Sequence, residues 1–144
     1  MNNLIFEYYK TALLSIKRGN HNGLVINAKP LYFLSIFSLI DRKEEVYDNK
    51  LFFSETINAE YLNTCKKYQP EIEPTPFFKP FYYSKSEPFY HLKYKQTPPD
   101  IGPSSRYIRE YIDYAYLDNA LWDLLQEAEA REQYKEAILR FFWN

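Results

Sequence analysis

Almost every residue from Pro30 to Ile40 is apolar, so a helix over this stretch has no polar stripe and must be packed on all sides. Pro30 suits the front of that helix, because a first-turn residue donates no intrahelical hydrogen bond and proline's fixed φ is close to helical. The charged run Asp41-Arg42-Lys43-Glu44-Glu45 ends it. The remaining pattern reads as covers for this rod. Ile5, Tyr9, Ala12 and Ile16 recur at steps of four and three with Leu13 beside them, which predicts an inward-facing first helix capped by Asn2 or Asn3. Gly19 and the Asn20-His21-Asn22-Gly23 run stop it, and Leu24-Val25-Ile26 leads into the central helix.

Lys50 to Phe53 reads as a short strand, after which Ser54 caps a helix with Ile57, Tyr61, Cys65 and Tyr68 on one face. Eight of the nine prolines fall between residues 70 and 103, so this part is loop, short helix and short strand. Within it Pro88 to Tyr94 alternates like a strand. Residues 104 to 116 have no clean period and read as short helix or strand. Asp118 caps a helix through Leu121, Trp122, Leu124 and Leu125, and a final helix places Tyr134, Ile138, Phe141 and Phe142 on one side.

Composition agrees with one folded domain over residues 1 to 144: 46% apolar and 19% aromatic residues are far from a disordered composition. The 15 tyrosines suit half-exposed surfaces, being apolar in body and polar at the tip. One cysteine excludes an internal disulfide, and Cys65 on its stripe reads as a core residue. The first ten residues lack a basic segment followed by an apolar run, and no apolar run reaches the ~20 residues of a membrane span. A cytoplasmic location and no membrane contact are the expectation.

Net charge is −1, which argues against a strongly basic coat, but it is unevenly placed. Residues 1 to 99 carry 13 Lys/Arg against 10 Asp/Glu, and residues 100 to 144 carry 5 against 9. A polyanion would therefore meet the first two-thirds of the chain. The best nucleic-acid signal runs from Lys79 to Lys95, where four lysines interleave with aromatics against one glutamate. Lysine neutralises phosphates while aromatic faces stack on bases or sugars. Lys29 lies at a helix N-terminus, where the dipole repels it unless an anion sits between them. No carboxylate pair, Ser-His-Asp set, phosphate loop or ligand cluster has a recognisable spacing, so neither catalysis nor a metal or cofactor is expected.

Three motifs give the chain a family resemblance. Lys29-Pro30-Leu31-Tyr32-Phe33-Leu34 with Leu39-Ile40-Asp41, then Thr75-Pro76-Phe77-Phe78-Lys79 with Pro88-Phe89-Tyr90-His91-Leu92, and Leu117-Asp118-Asn119-Ala120-Leu121-Trp122-Asp123-Leu124-Leu125 with Glu129-Ala130-Arg131 stand in matching order. Over residues 5 to 142 the chain resembles the DNA-recognition domains that precede HNH modules in McrA-like modification-dependent restriction endonucleases, including the sulfur-binding domain that reads phosphorothioate DNA. It departs from them at Ala28, where the family has His, and at Thr75, where sulfur-binding members have Tyr. No nuclease module is present: two histidines 70 residues apart do not make an HNH site.

The expected architecture is α+β: a mainly helical single domain with a small antiparallel sheet, winged-helix-like, pairing strands near 50 to 53 and 89 to 94. Residues 75 to 83 are then the recognition element and residues 84 to 87 the wing tip. The expected function is recognition of DNA, plain or modified, through His21, Lys29, Lys79, Lys85, His91, Lys93 and Arg106, with Pro76, Phe77 and Phe78 shaping a pocket for a base or modified phosphate. A separate nuclease subunit is the implied partner for cleavage. A reading from another class is a protein-interaction module whose tyrosine-rich face docks a partner subunit, motivated by the near-zero charge and the acidic last third.

Overall fold

The computed structural model describes residues 3–21 and 24–143. Helix α2 (Ala28–Arg42) is its axis: every residue from Pro30 to Ile40 is buried except Ser38. Ser35 is tolerated there because its hydroxyl donates to the Leu31 carbonyl at 2.7 Å. The helix begins two residues before Pro30, still within the turn whose N–H groups lack partners, so the proline leaves no bond unmade. It ends where Lys43 turns left-handed (φ 56°), bonding Ile40 O while the Glu44 N–H reaches Leu39 O.

Around α2 pack α3 (Glu55–Tyr68), α4 (Phe78–Tyr83) and α7 (Ala128–Trp143). Ser54 caps α3 as expected, accepting from the Ile57 N–H at 3.2 Å, and Cys65 is buried. Burial also pushes the Cys65 thiol up to a pKa of about 11, which fits an inert core residue. Helix α1 (Asn3–Leu14) packs on α7 with the expected Tyr9 and Leu13 buried, as is Ile16 beyond its end; only the first turn differs, where Phe6 is buried and Ile5 is 39% exposed. The larger ring wins, because Phe6 stacks on Tyr134 at 4.5 Å and its carbonyl accepts the Tyr134 hydroxyl at 3.0 Å. Likewise Phe141 is 55% exposed, leaving Tyr134, Ile138 and Phe142 as the inner stripe of α7.

With 58% helix and two small antiparallel sheets among the described residues, the fold is the mainly helical α+β class expected. The strand pairing differs in detail. Residues 24 to 26 are not a plain lead-in but strand β2 (Leu24–Ile26), paired with β1 (Gly19–His21). Strand β3 (Tyr90–Tyr94) pairs not with residues 50 to 53 but with β4 (Ile112–Leu117), Tyr90 opposite Leu117, directly after α5 (Ser105–Tyr111). Leu51 then adds a single bridge on the far side of β4, trading both backbone bonds with Ala115 at 2.7 and 2.8 Å. The expected wing tip at 84 to 87 lies between α4 and β3 and not between two paired strands: Ser84–Ser86 is a 3-10 turn with Ser84 and Glu87 buried and Lys85 and Ser86 exposed.

Two polar links fix the sheet to the helices. The Tyr90 hydroxyl donates to the Phe81 carbonyl at 2.6 Å, so the Tyr32 hydroxyl, 3.0 Å away, donates to Tyr90. This joins α2, β3 and α4. Asp118, expected to cap α6 (Asn119–Leu125), makes no capping bond with its side chain. Its carboxylate instead accepts the Tyr9 hydroxyl at 2.9 Å and meets His91 Nε2 at 2.6 Å, tying α1 to β3.

Candidate nucleic-acid interface

Short helix α4 forms because Pro80 fixes a helical φ and the aromatic residues around it are drawn inward. Phe77 is 6% exposed, stacked on Phe53 at 5.1 Å and set edge-on to Tyr32 and Phe81. This anchors the segment 75–83 and divides its other side chains between two cavities.

The first cavity, about 240 Å³, lies among the β1–β2 hairpin, the start of α2 and α4. Lys17, Lys29 and Lys79 line it together with Thr75, Pro80 and Tyr83. Its lysines are not equivalent. Lys79 is exposed, whereas Lys29 Nζ donates to Glu87 Oε2 and to Ser86 Oγ, both at 2.9 Å. The Glu87 carboxylate is 4% exposed and also receives the Lys17 backbone N–H at 3.4 Å. The anion that relieves a lysine at this helix N-terminus is thus one of the chain's own. With Lys29 committed to Glu87, Lys17 and Lys79 set the positive character of the cleft.

The second cavity, about 350 Å³, holds the other half of the segment: Pro76, Phe77 and half-buried Phe78 line it together with Phe53, Ser105 and Arg109. The Arg109 guanidinium sits 5.5 Å over the Phe53 ring, a cation held by an aromatic face in the pocket lining. A volume in this range admits a base or a substituted phosphate. Glu55 also lines the pocket, so its lining carries both signs.

Lys85 stands on the 3-10 turn beyond α4, donating to the Tyr82 hydroxyl at 2.9 Å and lying 4.4 Å from that ring's centroid. This bond holds the Tyr82 phenol below its ordinary pKa and raises that of Lys85. Tyr82 meets Tyr83 and Tyr107 edge-on, so a lysine and three phenol rings form one cluster.

The residues expected at the site therefore separate. Lys29 joins Lys79 in the cleft; Pro76, Phe77 and Phe78 join in the pocket; Lys85 lies with Tyr82; and Arg106 is exposed on α5. His91 and Lys93 are on the outward face of β3, part of another surface. His21 lies outside the residues whose side chains are described. Lys17 and Arg109 carry no signal of their own in the sequence: one shortly precedes a glycine turn, and the other falls in a stretch without a readable period.

No protein-family model matches the chain, and no curated protein matches it in a sequence comparison.

Proposed function

We propose that the chain is a DNA-recognition module whose segment 75–83 lies against the nucleic acid. Lys79 and Lys17 take backbone phosphates, and the pocket beside Phe78 takes a base or a modified phosphate, with Arg109 in its lining. The observation that supports this reading is the division of one short segment between a lysine-lined cleft and a pocket of base size with aromatic and polar lining. Cations that position a backbone beside a cavity that samples a group are the two parts such recognition needs. In this reading a sulfur-bearing phosphate rests against the Pro76 and Phe78 rings. Thr75 faces the lysine cleft instead. A separate nuclease subunit supplies cleavage, as the resemblance to domains preceding HNH modules implies.

The test is titration of plain, methylated and phosphorothioate duplexes over a salt series. Three phosphate contacts, from Lys17, Lys79 and Arg109, give a log–log slope near −3, each contributing about −0.9. A preference for one modified duplex that disappears in Phe78→Ala assigns the pocket. Absence of salt-dependent binding to every duplex returns the chain to the protein-interaction reading.

A further inference from the structure

The outward face of the sheet carries a row of aromatic rings with lysines beside them. Antiparallel sheets with one buried face ordinarily turn polar residues to water. Inward, Tyr90, Leu92, Ala115 and Leu117 meet the core. Outward, the register sets His91 opposite Tyr116 and Lys93 opposite Tyr114, while the Leu51 bridge brings Lys50 and Phe52 to the other edge of β4.

The rings run in a continuous row: Phe52 to Tyr114 at 5.9 Å, Tyr114 to Tyr116 at 6.1 Å, and Tyr116 to His91 at 5.1 Å between centroids. They are accessible, with Phe52 40% and the His91 side chain 37% exposed and both tyrosines half-buried. The cations are adjacent, since Lys50 Nζ lies 5.2 Å from the Tyr114 ring and Lys93 is exposed on the next strand. The row is also held still. Asn49 brackets the end of β4, donating to Leu117 O at 2.8 Å and accepting from Leu117 N at 2.9 Å, and Leu51 fixes the middle.

We infer that this face is a second binding surface, separate from the α4 cavities, on which unpaired bases of a single-stranded nucleic acid stack while Lys50 and Lys93 meet its phosphates. The choice of occupant follows from the pairing of ring faces with cations. Stacking requires bases whose faces are open, which a duplex does not offer, and none of the six outward side chains is a carboxylate. Of the acids close in sequence, Asp118 is engaged by Tyr9 and His91, Asp113 is the residue skipped where the β3–β4 register shifts, and Asp48 is exposed in the loop before Lys50. The inference does not rest on the duplex reading, because it uses none of the residues of the cleft or pocket.

Fluorescence anisotropy with a short labelled oligothymidylate tests it. The full chain should bind it at low salt; Tyr114→Ala should weaken binding about tenfold and Tyr114→Trp should restore it, as expected for a stacked base. Lys93→Ala, at an exposed position, should flatten the salt slope by about 0.7, the value for one phosphate of a single strand. Lys79→Ala should leave oligothymidylate binding unchanged while weakening duplex binding. Failure of the unaltered chain to bind oligothymidylate overturns the inference. So does wild-type affinity in a folded Tyr114→Ala variant, or heparin binding as strong as oligothymidylate binding and equally indifferent to Tyr114.

Discussion

The flanks of α4 and the outward sheet face are both rich in aromatic residues and lysine, yet they use these groups in opposite ways. At α4 most of them already have partners within the chain: Phe77 is core, Lys29 is bound to a buried carboxylate and Lys85 to a phenol. On the sheet the rings touch mainly one another, and the lysines lie over or beside them. Counting lysines and aromatics along a sequence scores the two regions alike. What separates them is whether the fold has already satisfied the charge and covered the ring.

The comparison breaks most visibly at Phe77. Phe77→Ala should cost about 4 kcal/mol in urea denaturation, in the range of a buried phenylalanine, and half-buried Phe78→Ala less than half of that. Equal costs would mean that the segment's inner and outer rings are misassigned. Next comes Lys29→Ala, which strands a buried Glu87 carboxylate and should cost about 3 kcal/mol, most of it regained when Glu87→Gln is added. A loss under about 0.5 kcal/mol would instead place Lys29 among the solvent-facing lysines.

A smaller effect probes the anchor that joins α1 to the sheet. Burial, then the hydrogen bond to Asp118, pushes Tyr9 up to about 12 from an ordinary value of 10.0. Between these values the unfolded chain has lost a proton that the folded chain keeps, so stability is full below pH 10 and falls as pH rises towards 12. Melting temperatures over that interval should fall less steeply in Tyr9→Phe. The smallest effect on stability belongs to Lys79→Ala: under about 0.5 kcal/mol, with duplex affinity reduced several-fold. A variant that unfolds without changing duplex affinity would make Lys79 a structural residue.

How far the sequence discloses this arrangement depends on whether a feature is local. The central helix is legible because its burial is nearly total, so no phase has to be guessed, and the Ser54 cap and Cys65 follow from their own neighbours. The first turn of α1 is not, since Ile5 and Phe6 are both apolar and only the Tyr134 ring, far along the chain, chooses between them. Strand β4 is hidden by its register shift: Ile112 and Ala115 are both buried three residues apart, which spoils the alternation that betrays a strand. The candidate site suffers likewise. Grouping Pro76, Phe77 and Phe78 needs only adjacency, but the Lys29–Glu87 pair spans 58 residues and the row from Phe52 to His91 crosses three separate segments.

The contact of α1 with α7 has a consequence in time. Phe6 and Tyr134 are 128 residues apart, so Phe6 lacks its stacking partner until α7 has left the ribosome. Closure of so long a segment is costly in chain entropy and belongs late in folding. Because α7 also covers one side of α2, both helices keep an open apolar face during synthesis until α7 is made, and such transiently exposed surface is where aggregation begins.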